Sequence, residues 1–135
     1  VLSALALGAD FAYVGTKFIA TEEANASPGY KQMIIDSTAD DIMYSATFTG
    51  VNGNYLRPSV EAAGLNPEEH TSGSKDDMNF STSAIAKKDN SSKAWKDIWG
   101  SGQGIGTIKD APSVQTAVDQ MVSEYEEAKS RLDNF

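Results

Sequence analysis

The sequence predicts an α/β chain with alternating helices and strands, rich in helix and with few short strands. Three observations carry this. "VLSALALGAD" reads as the end of a helix handing over, through Gly-Ala-Asp, to a short apolar run, which is an αβ connection. "IMYSATFTGVNGNYLR" (42–57) is β-branched and aromatic around Asn52-Gly53, a hairpin signal. From Pro112 onward, Val114, Val118, Met121, Tyr125, Ala128 and Leu132 recur at helical spacing.

Each element has a local reason. Residues 1–8 are helix-compatible and Gly8 is a natural stop. Residues 10–15, with Phe11, Tyr13 and Val14, are expected to form a buried strand ending at Gly15-Thr16. A helix is expected from Thr16 through Glu22-Glu23-Ala24. Pro28 opens another, "PGYKQMIIDS", with Tyr30, Met33 and Ile34 on one face. Pro58 to Ala63 is a short helix closed by Gly64. Residues 66–92 are polar and rich in Ser, Asp, Asn and Lys, and read as loop. "KAWKDIW" restores apolar side chains at Trp95, Ile98 and Trp99 before the run "GSGQGIG". Asp110 or Ser113 caps the final helix.

Composition bounds the function. The 135 residues suit one domain, and 40% apolar with 22% charged residues suits an ordinary globular chain. A formal charge of −8 repels phosphate backbones, which argues against nucleic acid as a partner class. Without cysteine there is no disulfide framework and no thiolate metal site. No apolar run reaches the roughly 20 residues of a membrane span. The sequons at Asn25, Asn79 and Asn90 read as chance in an Asn- and Ser-rich chain. The chain starts without Met, as though inside a helix and without a basic leader. The expectation is therefore a C-terminal piece of a longer protein.

Two stretches invite chemistry. Gly15-Thr16-Lys17 lies at the expected strand end, before a helix, where free N–H groups and the helix dipole attract anions. The alternative is a plain βα turn. The glycines at 100, 102, 104 and 106 lack the preceding strand and following helix of a dinucleotide fingerprint, and the Lys-Ser/Thr ending of a phosphate loop. They are either a flexible loop or a backbone built to approach a flat or anionic ligand, with Gln103 as the polar contact. His70, alone in a polar loop, reads as solvent-exposed rather than metal-binding or catalytic. Asp40-Asp41, Asp76-Asp77 and Glu124, Glu126 and Glu127 read as solvated charge. Tyr55 is either a pocket residue or an aromatic anchor, and Arg57 reads as a surface charge.

"ALALGADFAYVGTKFIATEEA", "FTGVNGNYLRPSVEAAGL" and "KAWKDIWGSGQGIGTI", in that order, resemble the C-terminal part of the nitronate monooxygenase family, formerly 2-nitropropane dioxygenases. The Gly-Thr-Arg-Phe element alone is shared with other flavin barrels, and Lys17 stands where the family carries arginine. Lysine cannot make arginine's planar fork. The resemblance implies the C-terminal portion of a (β/α)₈ TIM-type barrel that binds FMN, with a mostly helical lid. It places Gly15 and Thr16 at the FMN phosphate and Gly102, Gln103 and Gly104 along the flavin. Tyr55 would belong to the substrate pocket. The expected units are 1–27 (end of the barrel), 28–99 (lid, with the polar loop 66–92) and 100–135 (flavin-side loop and last helix). A whole barrel needs about 250 residues, so the other half is itself an expected partner, with self-association as another possibility. The family's catalytic base would precede Val1, so no catalytic residue and no metal ligand is expected here.

The function this implies is oxidation of an alkyl nitronate or nitroalkane with oxygen by a cytoplasmic flavoprotein, with the piece inactive by itself. The alternatives are a related FMN barrel such as an enoyl reductase, or a self-standing binding or structural domain.

Overall fold

A computed structural model describes residues 1–46, 52–68 and 97–133. In chain order these hold α1 (Leu2–Ala6), α2 (Thr16–Ile19), α3 (Pro28–Asp36), a 3₁₀ turn (Ala39–Asp41), β1 (Ile42–Ser45), β2 (Gly53–Leu56), α4 (Arg57–Ala62), a second 3₁₀ turn (Gln103–Thr107) and α5 (Val114–Leu132). The described residues are helix-rich with two short strands, as the sequence suggests. Among the described residues no helix is long and apolar enough to cross a membrane.

Local signals explain most element ends. Ser27 accepts from the Tyr30 N–H and Pro28 opens α3. Ser113, rather than Asp110, caps α5 by accepting from the Thr116 N–H. Gly8 (φ +89°) and Gly64 (φ +76°) end α1 and α4 in the left-handed region that suits glycine. Thr38 and Asp41 form a reciprocal capping box over the first 3₁₀ turn.

Three expectations need correction. Residues 10–15 form no strand. A strand exists only through hydrogen bonds to a neighbour, and no described residue pairs with this segment. Phe11 is 88% exposed and Tyr13 100% exposed, so neither is buried. The helix beginning at Thr16 stops at Ile19 instead of running through Ala24. There the Thr21 hydroxyl donates back to the Phe18 carbonyl, and Lys31 Nζ takes the carbonyls of Thr21 (2.6 Å) and Glu22 (3.0 Å). Finally, Asn52-Gly53 is not the hairpin turn. β1 and β2 do pair antiparallel, but Gly53 lies inside β2 opposite Ser45, so the dipeptide is not the turn; residues 47–51 lie outside the described residues.

The hairpin gains a third backbone run. Trp99 accepts from the Leu56 N–H (2.8 Å), the Ser101 N–H donates to Asn54 (3.2 Å), and Gly100 bridges Tyr55 in antiparallel sense. A Cβ on Gly100 would stand 3.3 Å from the Asn54 carbonyl, so glycine suits this close approach. One face of the assembly covers Ala20, Ile34, Leu56, Ile105 and Ile108. A second, smaller cluster gathers Met43, Val60 and Ile98. Full burial of a side chain such as Ile34, Leu56 or Ile105 contributes about 1.5–3 kcal/mol each. α5 lies against this body on a narrow stripe, with Ala117 its only buried described residue. It is docked by polar ties: Glu23 takes the Val114 N–H on both carboxylate oxygens (3.0 and 2.9 Å), and Lys17 reaches Gln120 at 3.1 Å.

Candidate cofactor site

The two stretches singled out in the sequence meet in space. Gly15 is the N-cap of α2, and its carbonyl accepts from the Phe18 and Ile19 N–H groups. The Thr16 hydroxyl oxygen accepts from the Gly102 N–H at 2.9 Å, across 86 residues of sequence. That bond leaves the hydroxyl proton of Thr16 able to donate elsewhere. No hydrogen bond engages the Gly15 and Thr16 N–H groups among the described residues. A Cβ built on Gly15 or on Gly104 meets nothing within 4 Å, while one on Gly102 would stand 3.5 Å from Thr16 Oγ1. The turn and the loop thus form a shallow cradle, with the Gly15 and Thr16 N–H groups unengaged among the described residues and open space at Gly15 and Gly104. Its donor set is compatible with an anion such as a phosphate group.

Gln103 opens the second 3₁₀ turn and is exposed beside Gly102 and Gly104. That turn is firm because Ile105 is fully buried beneath it. Lys17 points to α5 and its Gln120, so its charge is committed away from the cradle. Tyr55 is half-buried against the Met43, Val60 and Ile98 cluster and stands across the β-bridge from Gly100. Arg57 pairs with Glu68 on the surface. His70 and Trp95 lie outside the described residues. Among the described residues no group of three His, Cys, Asp or Glu could hold a metal ion.

Sequence reasoning missed one neighbour of the cradle. A cleft of about 870 Å³ runs from Val14 and Gly15 past Phe18 to Tyr30, Asp97 and Trp99. Its aromatic wall is the Tyr30–Trp99 stack, with centroids 4.9 Å apart and planes 17° from parallel. Gly29 lies beside the pair, where a Cβ would make an ordinary contact with the Trp99 ring at 3.4 Å. The Tyr30 hydroxyl donates to the Gly100 carbonyl. Burial pushes the Tyr30 phenol above its ordinary pKa and keeps it a donor. The return of apolar side chains just before the glycines was the available signal.

Comparison with known proteins gives the geometry a context. The nitronate monooxygenase family model matches residues 1–124. Two solved chains share the fold. A point mutant of FabK from Thermotoga maritima is 24% identical at TM-score 0.65, over 98% of this chain and 38% of that one. FabK from Thermotoga maritima is 21% identical at TM-score 0.65, over 98% of this chain and 42% of that one. This chain therefore spans about two-fifths of the length of the solved chains it matches. No curated protein matches it.

Proposed function

Because the chain belongs to the nitronate monooxygenase family, we propose that it is the cofactor-binding C-terminal portion of an FMN-dependent barrel oxidoreductase acting on alkyl nitronates. The observation that carries this reading is the Thr16–Gly102 hydrogen bond, which brings the expected phosphate turn and the glycine loop into one cradle. FMN, when bound, supplies the redox chemistry of nitronate oxidation by oxygen. The residues here supply position and charge. Gly15 and Thr16 offer two N–H groups and one hydroxyl to the phosphate. Gly102 and Gly104 let the backbone approach the cofactor, with Gln103 as polar contact. On a chain of net charge −8 these neutral donors matter, since they attract an anion without a committed lysine. Tyr55 sits beside the loop as the candidate substrate-side aromatic.

The shared fold with FabK makes a related FMN barrel, such as an enoyl reductase, the second reading. The test is made on the intact protein. It should purify yellow, release FMN on denaturation and take up oxygen when given an alkyl nitronate. Colourless protein that gains no flavin from added FMN would overturn the cofactor assignment. Flavin-loaded protein that leaves nitronates untouched and reduces an enoyl thioester would establish the second reading.

A further inference from the structure

We infer that Tyr30 is a positioning residue, holding the 100–104 loop at the distance from Gly15-Thr16 that closes the cradle. Its consequence for cofactor binding rests on the FMN reading above.

A loop in which glycine alternates with other residues loses much backbone freedom when it is ordered. Something must fix it before the Gly102 N–H can stay on Thr16. The structure supplies anchors on three sides. Toward β2, Trp99 and Ser101 are hydrogen-bonded to Leu56 and Asn54. Toward the core, Ile105 and Ile108 are buried. The remaining side is Tyr30. Backbone groups alternate along an extended run, so the Gly100 carbonyl turns away from β2, and the Tyr30 hydroxyl donates to it.

Tyr30 is itself well held. Its N–H donates to Ser27 (3.2 Å), fixing its place in the first turn of α3. Its ring stacks on Trp99, the residue just before Gly100. The ring grips one residue and the hydroxyl the next, so rotation of this short stretch is blocked from one side chain. Gly102 follows two positions later, already bonded to Thr16. Tyr30 touches neither Gly15 nor Thr16 in this chain of contacts and acts on them through the loop.

The experiment uses Tyr30→Phe, which keeps the stacked ring and removes only the hydroxyl. Tyr44→Phe, at a 66% exposed tyrosine of β1, is the control. Amide exchange is followed by mass spectrometry on the flavin-free intact protein, and FMN affinity by fluorescence titration. In Tyr30→Phe, peptides spanning residues 100–106 should exchange about three- to ten-fold faster, with α5 amides unchanged and the melting temperature lowered by only a few degrees. The FMN Kd should rise by a similar factor, and Tyr44→Phe should change neither. Unaltered exchange at 100–106 would overturn the inference. So would a rise spread equally through α5, because that reports general loosening. If exchange shifts as expected but wild type binds no FMN, the loop assignment stands and the FMN reading fails.

Discussion

Replacing Thr16 by alanine is the sharpest probe of the cradle. The Thr16 hydroxyl has two faces in this structure. Its oxygen accepts the Gly102 N–H at 2.9 Å, and its proton is left to donate. Losing a donor to a charged phosphate costs about 1.5–3 kcal/mol. Losing the acceptor frees the Gly102 N–H, but Gly102 is exposed, so water replaces the bond and the added cost falls near the low end of about 0.5–1.5 kcal/mol. Taking the donor loss as the main part, FMN affinity in Thr16→Ala should fall by about ten- to a hundred-fold. Thr16→Ser keeps both hydroxyl roles and should stay within about three-fold of wild type. The assay is flavin fluorescence titration on intact protein, with circular dichroism confirming that each variant is folded. A folded Thr16→Ala that binds FMN as wild type does would refute the placement of the phosphate at this turn.

Three further outcomes are expected. Gly15→Ala places a methyl in open space on a backbone at φ −105°, so it should leave folding and melting unchanged while weakening FMN by crowding its phosphate; equal affinity in titration would remove Gly15 from the site. Glu23→Ala deletes the carboxylate that takes the Val114 N–H twice and stands at a helix N-terminus, so the melting temperature should drop by several degrees, corresponding to about 1–2 kcal/mol, with faster amide exchange at the start of α5. The chain expressed by itself should self-associate through the exposed Leu7, Phe11 and Tyr13, and Phe11→Ser with Tyr13→Ser should shift it toward monomer in sedimentation.

What was legible in the sequence was punctuation. Ser27-Pro28, Ser113, Gly8 and Gly64 mark element ends because each satisfies a backbone group within its own turn. The existence of the hairpin was legible from its β-branched and aromatic residues, but its connection was not. Asn-Gly favours a tight turn, yet pairing Ile42 with Leu56 and Met43 with Tyr55 leaves Gly53 in the strand. The segment 10–15 has strand composition, but composition cannot supply a pairing partner. The end of α2 was hidden because distant groups decide it. Lys31 claims the carbonyls after Ile19, and the Glu22 N–H turns to Pro112. For the candidate site, residue types at 15–16 and 102–104 were readable as phosphate-friendly. Their meeting was not, since one hydrogen bond between residues 86 apart leaves no local pattern. The apolar residues before the glycines hinted at the Tyr30–Trp99 wall, but the pairing of residues so far apart left no local pattern either.

The polar ties around α5 also constrain how the molecule is made. The α2 turn is closed on Gly102, 86 residues later; the neighbouring Glu23 waits for Val114, 91 residues on, and Lys17 for Gln120, 103 residues on. On a ribosome adding about 5–20 residues per second, these partners emerge well after the turn itself. The early segment must therefore leave the tunnel before the partners that hold it exist, and loop closure over such separations slows the final step. If FMN binds as proposed, its capture then waits for the segment from Gly102 to Gln120. On the FMN reading proposed above, a ribosome stalled before Gly102 should yield nascent chains that cannot retain flavin, and uptake should follow the emergence of α5.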